Sequence, residues 1–90
     1  MEITYDLNKD AINRAKHGVS LADAEYIDWL SALERLDDRE DYGEVRYRAF
    51  GFIGNRLHCV VYVDRDDGRR IISLRKANGR EVKDYVEANL

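Results

Sequence analysis

The chain changes from strand to helix within a single stretch, Ile71-Ile72-Ser73-Leu74-Arg75-Lys76-Ala77-Asn78-Gly79-Arg80-Glu81. The apolar, β-branched residues at its start predict a strand. Because side chains alternate along a strand, Ile72 and Leu74 are expected to face a core and Ser73 and Arg75 to face an open surface. The stretch therefore predicts both a buried strand and a polar surface beside it.

The end of the same stretch predicts a helix. Asn78 is followed three residues later by Glu81, which is the pattern of a capping box. A helix is therefore expected from this point to about Ala88. Lys76 and Arg80 would then lie at the corner between strand and helix.

Two more strands are predicted before this stretch. Residues 44–53 and 56–64 have the alternation of strands, and the third strand runs over residues 69–75. The turn signals Gly54-Asn55 and Asp66-Asp67-Gly68 separate them. We therefore expect three successive antiparallel strands.

The N-terminal part predicts a short strand at Ile3 to Tyr5 and then a helix from about Lys9 to His17. Asp6 and Asn8 can cap that helix, and Gly18 suits its C-terminal end. Its buried stripe is expected to be Ile12 and Ala15.

A second, longer helix is predicted from about Leu21 to Leu36. Apolar residues recur there at spacings of three and four, at Ala22, Tyr26, Trp29, Leu33 and Leu36. The complete order is β-α-α-β-β-β-α, which predicts one α+β domain over residues 1–90, with helices packed on one face of an antiparallel sheet.

Alternation also predicts which side chains share the open face of that sheet. If the apolar residues of all three strands face the helices, the open face collects Glu44, Arg46, Arg48, Arg56, His58, Tyr62, Ser73 and Arg75. A two-residue turn at Gly54-Asn55 would place the apolar sets of its two strands on opposite faces. We therefore expect an odd-length loop, or a bulge at Gly51 or Gly54.

Composition limits the classes of protein to which the chain can belong. Ninety residues suit one domain with an open surface site rather than a deep cofactor pocket. The single Cys59 and the lack of a signal or membrane-spanning pattern favour a soluble protein of the reducing cytoplasm, with no membrane partner. Net charge is −3, yet residues 1–44 hold 12 acidic against 5 basic side chains and residues 45–90 hold 6 against 10. This asymmetry permits a basic face for nucleic acid.

The residue types on the predicted open face suit RNA cleavage that needs no metal. Such cleavage requires a base for the 2′-hydroxyl, cations for the phosphate and an acid for the leaving 5′-oxygen. His58 or Glu44 would serve as base, arginines as phosphate ligands, and His58 or Tyr62 as acid. A solvated, charged sheet face without catalytic function is the simpler interpretation of the same pattern. Metal-ligand spacings, phosphate-binding glycine loops and cofactor motifs are absent from the sequence, so we expect no cofactor.

Three separated blocks resemble one family, the BrnT toxins of bacterial type II toxin–antitoxin systems. They are Asp6-x-x-Lys9-x-x-x-Asn13-x-x-Lys16-His17-Gly18-Val19-Ser20, then Tyr42-Gly43-Glu44-x-Arg46, and finally Ile71-Ile72-Ser73-x-Arg75-Lys76-Ala77 with Arg80-Glu81-x-x-x-Tyr85. The blocks cover nearly the whole chain in the same order, which makes the resemblance specific.

The resemblance implies a fold similar to RelE-type ribonuclease toxins, RNA as substrate, and inhibition of translation. It also implies neutralisation by a BrnA-like antitoxin, a DNA-binding protein through which the toxin would reach operator DNA. The positions that match the family's motifs are Lys16, His17, Glu44, Arg46, Arg75, Lys76, Arg80 and Tyr85.

Two hypotheses follow from the residues and the resemblance together. In the first, Arg75 and Arg46 hold the scissile phosphate, and His58, Glu44 or Tyr85 handle protons. The residues that would bind RNA are Arg48, Arg56, Lys76, Arg80, Lys16 and His17. In the second, the chain is an inactive toxin-like module that acts as a co-repressor with its antitoxin, because an acidic N-terminal half can bind a basic partner.

Overall fold

The computed structural model describes residues 1–90 as an α+β domain. Its elements are β1 (Ile3–Thr4), α1 (Leu7–His17), two 3₁₀ helices (Leu21–Tyr26 and Trp29–Ser31), β2 (Leu33–Asp37), β3 (Arg46–Ile53), β4 (Arg56–Arg65), β5 (Gly68–Lys76) and α2 (Gly79–Ala88). The five strands form one sheet in the order β1-β5-β4-β3-β2. The sheet is mixed, since β1 runs parallel to β5 whereas the other neighbours are antiparallel. The prediction of a purely antiparallel sheet was therefore wrong.

The long helix predicted over residues 21–36 is absent. The residues that are buried there, Leu21, Ala24 and Ile27, recur every three positions, which is the period of a 3₁₀ helix. After two such helices the chain extends as β2 and pairs with β3 from Leu33 to Asp37. This pairing satisfies the backbone N–H and C=O groups on the edge of β3 that does not face β4. The pairing of the two strands therefore overrides the helical spacing of the apolar residues.

The register between β3 and β4 is regular. Ile53 pairs with Arg56 across a two-residue turn at Gly54-Asn55, and the pairing continues without a bulge to Tyr47 and Tyr62. The bulge expected at Gly51 or Gly54 was wrong. The sheet contains a bulge elsewhere, between β4 and β5, where Ile72 has no partner on β4.

This register gives the sheet two partly apolar faces. The inner face carries Ala49, Val60, Tyr62, Ile71 and Leu74, which pack with Val19 and the first 3₁₀ helix. The opposite face, here called the arginine face, carries Phe50, Leu57 and Cys59 at one end, where Ala77 and Tyr85 cover them. Helices therefore lie on both faces of the sheet, and the prediction of helices on one face was wrong.

A glycine allows the first 3₁₀ helix to approach the inner face. A Cβ atom on Gly51 would lie 2.7 Å from Cγ2 of Ile27 and 3.3 Å from Cβ of Ala32. Any larger residue at this position would push the helix from the sheet.

Buried polar side chains attach α1 to the rest of the domain. Because β1 has only two residues, the edge of β5 is free at Leu74, and the side-chain amide of Asn13 takes the place of a strand there. Its Nδ2 donates to the Leu74 carbonyl at 2.8 Å, and its Oδ1 accepts from the Leu74 N–H at 3.2 Å. Asp10 accepts from the Leu21 N–H at 2.7 Å. The expected apolar stripe was wrong, since Ile12 is 64% exposed.

Local capping signals were predicted correctly at both α-helices. Asp6 accepts from the Lys9 N–H at the start of α1, and Gly18 ends that helix with a φ of 71°. Asn78 and Glu81 form the capping box of α2. No helix of the structure is long and apolar enough to cross a bilayer.

Candidate functional site

Arg75 projects from β5 on the arginine face and is held by an acid from α2. Its Nη1 and Nη2 atoms donate to the two carboxylate oxygens of Glu81 at 2.7 and 2.9 Å. This hydrogen-bonded pairing raises the pKa of Arg75 and lowers the pKa of Glu81. Glu81 also accepts from the Asn78 N–H at 2.9 Å, so the capping box of α2 fixes the position of Arg75.

A second arginine on this face has no acidic partner. Arg48 on β3 pairs with Val61 on β4, which in turn pairs with Ser73 on β5. This row of side chains across the sheet is next to the row that contains Arg75. The Nε of Arg48 is buried and has no hydrogen-bond partner. Arg48 also stands directly opposite Arg35 on β2, and Arg35 has no ion pair either. Like charges in direct cross-strand pairs are unfavourable, so this pair favours binding of an anion.

A cleft opens between this pair and α2. Its volume is about 260 Å³, and its walls are formed by Leu33, Arg35, Arg48, Phe50, Asn78, Arg80, Glu81, Asp84 and Tyr85. Glu81 belongs both to the cleft and to the pair with Arg75, so the two features form one continuous surface.

The last turn of α1 brings His17 and Lys16 to the β5 side of this surface. Both line a shallow depression with Lys9 and Ser73. Partial burial lowers the pKa of His17, and the charges of Lys16 and Arg75 lower it further. The imidazole is therefore neutral near pH 7 and can accept a proton.

The arrangement contains two arginines, a neutral imidazole and a lysine around one open surface. A family model described as "Ribonuclease toxin, BrnT, of type II toxin-antitoxin system" matches residues 5–81. The chain belongs to the BrnT family. No curated protein matches it. Because a type II toxin is neutralised by a protein, membership implies a protein antitoxin as partner.

The BrnT motif residues Glu44 and Arg46 lie away from Arg75. Arg46 projects from the arginine face two rows further along the sheet, where its Nε contacts Glu44 at 3.0 Å and its guanidinium stacks on Tyr42 at 4.2 Å. Glu44 also contacts Arg65 at 3.2 Å. These residues form an ion cluster of their own and are not brought together with Arg75.

The predicted placement of His58, Tyr62 and Arg56 on the arginine face was wrong. His58 is 6% exposed and Tyr62 is 2% exposed, and both point to the inner face. The Tyr62 hydroxyl donates to Glu34 at 2.5 Å. Arg56 projects from the β3–β4 turn and contacts the Ala77 carbonyl at 3.4 Å.

Among the remaining motif residues, Arg80 lines the cleft and Tyr85 forms one of its walls. The Tyr85 hydroxyl donates to the Ser31 carbonyl at 3.0 Å, and its ring meets Phe52 edge to face at 5.5 Å. Lys76 is exposed at the end of β5, where it pairs with His58.

Sequence reasoning missed Arg35 and Asp84 as parts of the site. Arg35 was assigned to the long helix, although Leu33, Arg35 and Asp37 alternate as a strand and lie on one face of β2. That alternation was the available signal. Asp84 carried no signal, because its position at the cleft depends on how α2 packs on the sheet.

Proposed function

We propose that the chain is an endoribonuclease that cleaves RNA on the arginine face without a metal ion. The observation that carries this proposal is that Arg48, which lacks an acidic partner, lies one row from Arg75 and on the side of the sheet reached by His17. The unpaired guanidinium of Arg48 suits the bidentate binding of a phosphate, while Arg75, which is also paired with Glu81, and Lys16 at the rim add positive charge.

The chemistry assigned to these residues is an in-line attack within the RNA. The 2′-oxygen bonds to phosphorus while its proton passes to the neutral imidazole of His17. The bond from phosphorus to the 5′-oxygen breaks, and that oxygen takes a proton from solvent. Arg48 and Arg75 stabilise the negative charge on the phosphate oxygens. The products are a 2′,3′-cyclic phosphate and a 5′-hydroxyl end.

We infer that this cleavage inhibits translation in the bacterial cytoplasm and that the protein antitoxin is BrnA-like. The resemblance of the three motif blocks supports this inference. The acidic N-terminal half would suit a basic segment of the antitoxin. Operator DNA would be reached only through that antitoxin.

The test uses the purified chain, a long unstructured RNA and an excess of EDTA. Cleavage is expected to continue in EDTA and to leave cyclic phosphate ends. Arg48→Ala, Arg75→Ala and His17→Gln should each reduce the rate at least roughly tenfold, as expected for loss of a phosphate ligand or a general base. Arg14→Ala is the matched control, because its exposed side chain contacts only Asp10. Circular dichroism confirms that each variant is folded.

An unchanged rate in all three site variants would remove these residues from the chemistry. Cleavage that stops in EDTA would contradict the metal-free mechanism. A chain that cuts no RNA but still increases the affinity of its antitoxin for operator DNA would instead be a co-repressor module.

A further inference from the structure

We propose that the cleft between β2, β3 and α2 binds one guanine nucleotide of the RNA and gives cleavage a base preference. This inference rests on the proposed function, because it names the nucleotide that lies next to the scissile phosphate. The cleft volume, about 260 Å³, is slightly below the roughly 300 Å³ of the smallest drug-sized sites. It suits a single nucleotide unit rather than a longer segment.

The walls of the cleft provide apolar surfaces for a base. Leu33 and Phe50 come from neighbouring strands in a direct pair, and Tyr85 stands opposite them on α2. Tyr85 is held in place by its bond to Ser31 and by the edge of Phe52. A rigid aromatic wall can pack against a flat base without losing side-chain freedom, and such contacts are favourable for every base. These walls therefore provide affinity, whereas selection among bases needs polar groups.

Three charged side chains around the cleft have no other partner. Asp84 is exposed and makes no ion pair or hydrogen bond with its side chain, and the same is true of Arg35 and Arg80. By contrast, the carboxylate of Glu81 is occupied by Arg75 and Asn78. One free carboxylate and two free guanidinium groups are thus available to a ligand.

Guanine is the base that uses both kinds of group. It presents O6 and N7 as two adjacent acceptors, which an arginine fork binds in bidentate fashion, and it presents an amino donor on its other edge. Arg80 would take the first role and Asp84 the second. Uracil has no amino group for Asp84. Cytosine carries its amino donor and its acceptors N3 and O2 on a single edge, whereas guanine offers its acceptor pair and its amino donor on two different edges.

The opposed arginines on β2 and β3 would bind the phosphate of the same nucleotide. Arg35 and Arg48 are directly paired across the strands with no acid between them, so a phosphate relieves their repulsion. Arg48 is also one of the proposed ligands of the scissile phosphate. The guanine would therefore lie immediately beside the bond that is cut.

The first experiment measures binding of single nucleotides, which does not depend on cleavage. GMP, AMP, CMP and UMP are titrated into the full chain, and backbone amide shifts of residues around the cleft are followed by NMR. GMP is expected to bind about tenfold more tightly than UMP, within the range of one bidentate base contact. Asp84→Asn should remove this difference. Asp67→Asn is the matched control, since Asp67 is an exposed acid in the β4–β5 turn.

Equal binding of all four nucleotides, or selectivity that Asp84→Asn leaves intact, would overturn the proposal. Preference for CMP would also overturn it, because the cleft would then select a different base.

The second experiment maps cut sites on a long RNA by primer extension. Sites cut by the natural chain are expected to share a guanine at one fixed position. Sites cut by Asp84→Asn should have no preferred base there, whereas sites cut by the control variant Asp67→Asn should keep the guanine. A chain that binds GMP selectively but cuts no RNA contradicts the proposed function and the base preference of cleavage, and it supports only the guanine-binding cleft. If the natural chain and Asp84→Asn cut RNA at the same sites, the result contradicts the inference alone.

Discussion

The two faces of the sheet differ in how much of each is covered by other parts of the chain. The inner face packs Val60, Tyr62 and Leu74 against Val19 and the 3₁₀ helices, and these side chains are almost completely buried. The arginine face is covered by α2 at one end only, and guanidinium groups lie over the remainder. Because β4 is apolar on both faces, it belongs to both clusters and couples them. Stability is thus concentrated on the inner face, which leaves the other face free to carry charge.

The two α-helices differ in the same way. α1 is attached by buried Asp10 and Asn13, which bond to backbone groups of the core. α2 has no buried residue and leaves Val82 and Val86 exposed. It is positioned mainly by its capping box, by Tyr85 and by the pair of Glu81 with Arg75. The helix that carries half of the cleft is therefore the one more weakly attached to the sheet.

The largest effect is expected from Leu74→Ala on the inner face. Leu74 is completely buried, so truncation removes apolar contacts and leaves a cavity. The free energy of unfolding should fall by about 2 to 5 kcal/mol, which urea denaturation measures. Arg48→Ala serves as the comparison from the arginine face and should lower it by less than about 1 kcal/mol, since Arg48 has no ion pair to lose. Equal losses in the two variants would contradict the division between the faces.

An intermediate effect is expected from Asn13→Ala at the edge of β5. The substitution leaves the carbonyls of Leu74 and Val19 and the Leu74 N–H without their side-chain partner. Unpaired buried groups cost about 1 to 3 kcal/mol, so unfolding free energy should fall by about 2 kcal/mol. Amide hydrogen exchange should be fastest to change at Leu74. Asn8→Ala on the exposed side of the same helix is the control, and a similar loss there would show that Asn13 acts only through helix propensity.

The smallest effect is expected from Glu81→Gln, and it depends on pH. The hydrogen bond from Arg75 lowers the pKa of Glu81 in the folded state. The pair therefore stabilises the fold fully at pH values above 4.5, the ordinary pKa of the group, and this stabilisation is lost as the pH falls through the folded-state pKa. At pH 7 the variant should be less stable by about 1 kcal/mol, because Arg75 is partly exposed to solvent. In acid, below the folded-state pKa, the two chains should converge.

Urea denaturation at both pH values measures this difference, and glutamine preserves the capping box. Glu87→Gln, on the exposed side of α2, should show no such dependence. A constant difference across pH would mean that the charge of Glu81 contributes nothing.

Sequence reasoning recovered part of the site and missed its boundaries. Arg75 and Arg48 were placed on one face, because alternation within a strand is a local property. His58 was placed on that face as well, since the alternation of one strand does not reveal its register with the next. Arg46 does lie on this face, yet the strand register places it two rows from Arg75, where it pairs with Glu44.

The sequence by itself determined what depends on neighbouring residues. Asp6 and Gly18 set the ends of α1, and Asn78 and Glu81 set the start of α2. The two-residue turn at Gly54-Asn55 is equally local, although the expected facing of the apolar residues led us to predict an odd-length loop or a bulge there. Each of these rests on bonds within a few positions of the chain.

Only the tertiary structure decided what depends on distant partners. Residues 33–37 form a strand because β3 lies beside them. The bulge at Ile72 makes Ile71, rather than Ile72, point into the core. The cleft exists because α2 packs across Phe52 and Ser31, far from it in sequence. Spacing along the chain records none of these pairings, since their free energy comes from burying surfaces that meet only after folding.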